Sequence, residues 1–290
     1  MAADQHEGCL EKGWFSEVNE MWPGIAVSIG VEKSLYRSKS RYQDIEVYQT
    51  RSHGKMLVLD GIIQLTDQDE FAYHEMMAHL PLMAHPNPER VLVIGGGDGG
   101  ILREVGRHDM IRRMDFCEID DEVIAVSKRF FPDIACGFDD ERVRVHIEDG
   151  YSFVQRCESC YDVIIVDSSD PVGPGEILFS RPFYEALKQA LAPGGVICTQ
   201  GESSFLHPEW VRELAQITRE LFEVSAYATV IVPTYTGGHI SICTASLGPA
   251  LKDPARPVDK ALQAQLKYYS PEVHKAAFAL PPFARKLVEE

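Results

Sequence analysis

Val91-Leu92-Val93-Ile94-Gly95-Gly96-Gly97-Asp98-Gly99-Gly100 decides the fold. Four apolar, mostly β-branched residues read as a buried strand. The next six residues include five glycines, and 101–107 reads as the start of a helix. Gly95, Gly97 and Gly100 satisfy G-x-G-x-x-G, where glycine permits a tight turn and lets a ligand touch backbone. Taken alone, the motif admits either a dinucleotide or an S-adenosyl ligand.

Downstream the alternation continues. Residues 114–119, 143–147, 161–167 and 196–200 read as strands, and 121–131, 182–191 and 208–221 as helices. Ser180 is placed to cap the second of these helices, and Pro193-Gly194-Gly195 to stop it. Residues 224–232 and 239–244 read as a closing hairpin. Repeated β-α-β order predicts an α/β fold, a doubly wound, mostly parallel Rossmann-like sheet, over 67–290. Upstream, 24–31, 44–50 and 56–59 are short β-rich pieces, punctuated by Gly54 and Asp60-Gly61. They predict a small antiparallel β-domain over 1–66. Between the two lies a predicted helix, 69–82, with Asp67 or Asp69 as its cap and Pro81, Pro86 and Pro88 as its end.

The chain has 290 residues, 28 Lys and Arg against 44 Asp and Glu, and a net charge of −16 at pH 7. Phosphate backbones are repelled by such a surface, so nucleic acid is not the expected partner, and small cations are a better match. No apolar run reaches the roughly 18 residues of a membrane span. The start, MAADQHEGCLEKGW, lacks a basic stretch followed by an apolar one, so no secretory signal is read. Seven scattered cysteines then read as reduced thiols of a cytoplasmic protein. Cys157 and Cys160 form a single C-x-x-C with no second pair at zinc spacing. His74 and His79 lie five apart around Glu75, one too many for H-E-x-x-H, so no metal site is expected.

Carboxylates gather where a doubly wound sheet binds its ligands, at the carboxyl ends of the strands. Glu118 lies 21 residues after Gly97 and suits a ribose diol. Asp149-Gly150 follows the next strand and suits an adenine amino group. Asp98, inside the glycine loop, would repel a pyrophosphate at the helix start but tolerate a sulfonium or ammonium. It therefore favours an S-adenosyl ligand over a nicotinamide cofactor. Asp167-Ser168-Ser169-Asp170 ends the fourth strand with two carboxylates three residues apart, suited to amines. The Pro- and Gly-rich stretch 171–176 reads as a loop over that site.

At this point the chain resembles the polyamine aminopropyltransferases, and among them the spermidine synthases. The resemblance runs through WPG at 22–24, SRYQD at 40–44, LVLDGIIQLTDQDEFAYHEMM at 57–77, VLVIGGGDGG at 91–100, CEID at 117–120, EDG at 148–150, DSSDPVGP at 167–174, PTYTGG at 233–238 and the tail at 266–286. It implies transfer of an aminopropyl group from decarboxylated S-adenosylmethionine, a co-substrate, to putrescine. No further cofactor is implied. Asp167 is then the residue that takes the proton of the attacking amine. Asp170, Tyr73 and Tyr235 position putrescine, with Ser168 and Ser169 beside them. Gln43, Gln64, His74, Asp98, Glu118, Asp149 and Gly150 form the nucleoside site. The resemblance also implies a methyltransferase-like catalytic domain and a homodimer.

The near alternatives are sibling activities. A spermine synthase would lengthen the acceptor. A putrescine N-methyltransferase would replace the loop aspartate, so Asp98 counts against it. A polyamine-binding protein without activity would have lost catalytic carboxylates, and this chain keeps Asp167 and Asp170.

Overall fold

The computed structural model describes residues 13–168 and 173–289. Strands β1 (Trp14–Val18), β2 (Ala26–Lys39), β3 (Asp44–Thr50), β4 (Lys55–Leu59) and β5 (Ile62–Thr66) form one antiparallel five-stranded sheet in chain order. Helix α1 (Glu70–Ala84) leads into the second layer. There β6 (Arg90–Gly95), α2 (Gly100–Gly106), β7 (Arg113–Glu118), α3 (Asp121–Phe130), α4 (Pro132–Ala135) and β8 (Val143–Ile147) follow one another. Then come α5 (Gly150–Val154), β9 (Tyr161–Asp167), α6 (Arg181–Ala190), β10 (Leu191–Gln200) and α7 (Pro208–Leu221). The hairpin β11 (Val224–Ile231) and β12 (His239–Ser246) closes the sheet, before the short helices α8 (Lys260–Gln263), α9 (Pro271–Ala277) and α10 (Pro282–Glu289).

Among the described residues the second sheet has seven strands in the order β11-β12-β10-β9-β6-β7-β8, parallel except at β12. The doubly wound expectation holds. Its physical basis is visible in the alternation along β6 and β9. Val91, Val93, Val163 and Ile165 point into a core shared with α1 and α2. Their neighbours Leu92, Ile94, Ile164 and Val166 point into a core shared with α5, α6 and α7. Strands apolar on both faces are what a sheet covered on both sides requires. The smaller sheet lays Ile45, Val47, Leu57 and Leu65 against Val123, Val126, Phe131 and Ile134 of α3 and α4 and their junction.

Several local expectations need correction. Pro81 does not end α1, which runs on to Ala84 with Pro81 inside it. Nearly all of this helix is buried, and packing on that scale outweighs the roughly 3 kcal/mol that an internal proline costs. Asp69 occupies the N-cap position of α1, but its side chain makes no capping bond. It bonds Thr66 and Thr234 instead. Ser180 likewise precedes α6 without a side-chain cap, its hydroxyl donating to the Ile177 carbonyl. Of the expected loop at 171–176, residues 171 and 172 lie outside the described residues, and Gly173–Phe179 is a 3₁₀ helix. Pro193-Gly194-Gly195 forms a bulge, with Leu191 paired to Tyr161 before it and Val196 to Val163 after it. No helix among the described residues is long and apolar enough to cross a membrane.

Helix α1 is fixed from behind by the tail. The Glu75 carboxylate, 1% exposed, accepts backbone N–H bonds from Lys267, Tyr268 and Tyr269, each at 2.8 Å. A buried donor left without its acceptor costs about 1–3 kcal/mol. Glu75→Ala should therefore lower stability by at least about 1–3 kcal/mol in chemical denaturation. It should also speed amide exchange at 267–269. Unchanged exchange at those amides would show that Glu75 does not hold the tail.

Candidate active site

The sheet reverses its winding at β6. From β6 the chain passes to β7 and β8 on one side, and later to β9 and β10 on the other. The crevice at such a switch point is the natural ligand site of a doubly wound sheet. In register, Gly95 is opposite Asp167 on β9, and Ile94 opposite Cys117 on β7. The glycine loop, Asp167 and Glu118 therefore open into the same crevice.

The loop glycines are required by protein side chains as well as by any ligand. Gly96 has φ +71, and a Cβ there would lie 2.7 Å from Asp167 Oδ2. At Gly100 a Cβ would lie 2.2 Å from His74 Nδ1. A larger residue at either position would displace a group of the site.

Asp167 Oδ1 accepts a 2.6 Å bond from the Tyr73 hydroxyl. Burial pushes the Asp167 carboxyl up to about 7 and Asp98 adds to the push, while Tyr73 and His74 offset only part of it. A carboxyl at its reference value, near 4, would be a weak base. In this crevice Asp167 is a much stronger one. Burial also lifts the Tyr73 hydroxyl well above its ordinary range, with Asp167 adding to the effect. Tyr73 therefore stays a neutral donor.

Four charged groups alternate in sign beside them. The Arg103 guanidinium donates to both Glu70 oxygens, at 3.1 and 2.8 Å. His74 Nδ1 donates to Glu70 Oε2 at 2.6 Å. His74 Nε2 lies 3.1 Å from Asp98 Oδ1, which also accepts the Gly100 N–H at 2.7 Å. Burial works against charge on His74, but Asp98 and Glu70 outweigh it and raise the imidazole to about 10. Glu70 is held down at about 2 because His74 and Arg103 overcome its burial. His74 is thus an imidazolium at neutral pH. This modifies the expectation for Asp98. Its carboxylate is not bare in the loop but already shares its charge with a cation. His79 lies with His108 and Glu104 at the far end of the same chain of charges, since Arg103 also donates to Glu104, at 2.8 Å.

Two pockets open near these residues, one beside Glu118 and one at Asp167. The first is lined by Ser40, Arg41, Tyr42, Ile119–Glu122 and Ile147–Asp149. Beside it Glu118 Oε1 accepts the N–H groups of Ile119 and Asp120 at 2.7 and 2.9 Å, and Oε2 faces Gly97. Burial raises Glu118 to about 7 despite those bonds. Asp149 caps α5 through the Ser152 N–H, at 2.7 Å, so it serves the fold as well as the pocket wall. Gly150 follows, packed so tightly that a Cβ would meet Ile94 at 2.4 Å. Gln43 does not point at Glu118. Its amide donates to Asp120 Oδ2 at 2.9 Å, where Ser40 Oγ also donates at 2.6 Å. Asp120, unremarked in the sequence, therefore organises this wall.

The other pocket lies on the far side of Asp167. Gln64, Tyr73, Asp167, Ser168 and Tyr235 line it. The Tyr73 and Tyr235 rings are 5.8 Å apart, and the Tyr235 hydroxyl donates to the Gln64 carbonyl at 3.0 Å. Gln64 thus falls on this side, away from the pocket walled by Asp149. Ser169 and Asp170 lie outside the described residues. Sequence reading missed Glu17, Glu202 and His207 in the lining. Glu202 follows β10 by two residues, so the strand-end rule that exposed Glu118 and Asp167 would have found it. It accepts from His207 Nδ1 at 2.6 Å and from the Gln200 amide at 3.1 Å. Among the described residues no group of three or more His, Cys, Asp or Glu side chains is arranged to hold a metal ion.

Comparison with known proteins agrees with this architecture. The family model described as the spermine/spermidine synthase domain matches residues 70–252, and that of the spermidine synthase tetramerisation domain matches 13–67. Spermidine synthase of Coffea arabica is 51% identical over 96% of this chain and 91% of its own. Spermidine synthase of Dictyostelium discoideum is 49% identical over 96% and 98%. A crystal structure of a spermidine synthase in complex with the transition-state analogue AdoDATO superposes with a TM-score of 0.89 at 35% identity, covering 98% of this chain and 97% of that one. The Thermotoga maritima spermidine synthase structure gives 0.88 at 34%, covering 98% and 96%. The chain belongs to the spermine/spermidine synthase family.

Proposed function

We propose that this crevice transfers the aminopropyl group of decarboxylated S-adenosylmethionine to putrescine, with Asp167 as the base. The carrying observation is the Asp167 carboxyl, part-buried, raised to about 7 and held by Tyr73 in the acid-lined pocket, directly opposite Gly95. The donor's nucleoside fits the wall of Glu118, Asp149 and Gly150, and its ammonium fits Asp98. The acceptor fits beside Tyr73, Ser168 and Tyr235; Ser169 and Asp170, which the resemblance assigns to the same substrate, lie outside the described residues. Gln43 acts through Asp120, as a support of the donor wall.

The chemistry needs little more than position and one proton acceptor. The neutral amine attacks the methylene carbon bonded to sulfonium. A C–N bond forms, the C–S bond breaks, and its electron pair leaves on sulfur as a neutral thioether. The new ammonium loses its proton to Asp167, and the products are spermidine and methylthioadenosine. His74 stays charged throughout and keeps Asp98 fixed for the donor ammonium. We further infer a cytoplasmic oligomer whose unit is a homodimer, with 1–66 as the small domain and 67–290 as the catalytic one. The tetramerisation-domain match supports assembly. Light scattering should return a dimer or a multiple of it, and a monomer would contradict the assembly.

Asp167→Asn should lower turnover by about 10²–10⁴, the usual worth of a general base, with donor affinity little changed. Near-normal turnover would remove Asp167 from this role. The pH profile has a definite sign. Asp167 accepts a proton only when ionised, so kcat/KM should rise with pH through about 7. The growing neutral fraction of the amine, with a reference pKa of about 10.4, carries the rise further. His74⁺ lowers Asp167. His74→Gln should therefore move the rising limb to higher pH. A limb that stays in place or moves down would show that His74 carries no charge at the site.

A further inference from the structure

Tyr235 sits on the turn between β11 and β12, and the N-terminal half of the chain grips that turn on both sides of it. The Thr234 N–H and hydroxyl donate to Asp69 Oδ2 at 2.9 and 2.8 Å. The Thr236 hydroxyl donates to Glu17 Oε1. The remaining oxygens of the two carboxylates are also used. Asp69 Oδ1 accepts from the Thr66 hydroxyl and Glu17 Oε2 from the Ile63 N–H, each at 2.6 Å. Glu17 is 2% exposed and Asp69 6%. Among the described residues neither forms a salt bridge. A carboxylate buried without a counter-charge is costly, and these two are compensated by hydroxyl and amide donors that converge on one turn.

We propose that Glu17 and Asp69 are positioning residues of the acceptor site, which set Tyr235 against Tyr73 by holding Thr236 and Thr234. This rests on Tyr235 being an acceptor-binding residue. The clamp ties acceptor recognition to the five-stranded sheet, because Glu17 lies on β1, its second partner Ile63 on β5, and Asp69 in the joint after β5. Among the described residues Gln43, Glu118 and Asp149 of the donor wall bond to neither Thr234 nor Thr236. Losing the clamp should therefore affect the two substrates unequally.

Steady-state kinetics of the full-length enzyme, with putrescine and donor varied separately, tests this. Thr236→Val keeps the side chain's size and removes the hydroxyl, while Thr236→Ser keeps the hydroxyl. Thr236→Val should raise the acceptor KM about tenfold, with the donor KM and Thr236→Ser within about twofold of wild type. Thr234→Val should act in the same direction, more weakly, because the Thr234 N–H bond remains. Equal effects on both substrates, or a serine variant as impaired as the valine one, would overturn the clamp. Tyr235→Ala separates this from the underlying reading. If it raises the acceptor KM while Thr236→Val does not, the clamp alone is wrong. If Tyr235→Ala leaves the acceptor KM unchanged, the assignment of Tyr235 to the acceptor site is wrong.

Discussion

Asp98 and Asp167 are two carboxylates brought to one crevice by adjacent turns of the chain, and their like charges constrain everything around them. Asp98 follows β6 and Asp167 ends β9, strands that pair directly. Water cannot screen their repulsion fully because both side chains are part-buried. The protein answers with two consecutive residues of α1. Tyr73 donates a hydrogen bond to Asp167, and His74 places a positive charge against Asp98. The His74 charge is itself sustained by Glu70, and Glu70 by Arg103. The outcome is unequal. Asp98 keeps its cation, whereas Asp167 carries the residual burden and is raised. That asymmetry is what the roles proposed for the two carboxylates require, Asp98 to hold a cation and Asp167 to accept a proton.

Such an arrangement requires α1 to be held rigidly. Arg103 grips its first turn from α2, and Glu75 ties the face behind the site to the C-terminal tail. Glu75 is the residue next to His74, so the tail anchors the helix close to its functional pair. The glycine loop supplies the complementary surface. Gly96 and Gly100 leave space for Asp167 and His74, so the motif makes room for protein side chains as well as for any ligand.

Much of this was legible in the sequence, for physical reasons that differ by element. β3, β8, β9 and α7 begin and end where the pattern predicts, because their apolar periodicity is bounded by turn residues or proline. β2 runs to Lys39, well past the expected end at residue 31, since its second half pairs through two irregular steps and carries mostly polar side chains. Pro81 was a sound local signal overridden by burial. Glu17 was readable in principle, because alternation along WFSEV puts it on the buried face with Phe15. The Glu70–His74 pair is an i, i+4 spacing, whereas Arg103 and the Thr234–Asp69 bond arise only from tertiary packing across 33 and 165 residues. Local pattern carries no information about those.

The proposed role of Asp167 as proton acceptor at neutral pH depends on the crevice raising its carboxyl to about 7. Carboxyl ¹³C NMR of the unliganded enzyme, compared with Asp167→Asn to assign the resonance, measures this without any turnover. The Asp167 signal should titrate with a midpoint near 7. A midpoint at the ordinary aspartate value of about 4 would contradict it.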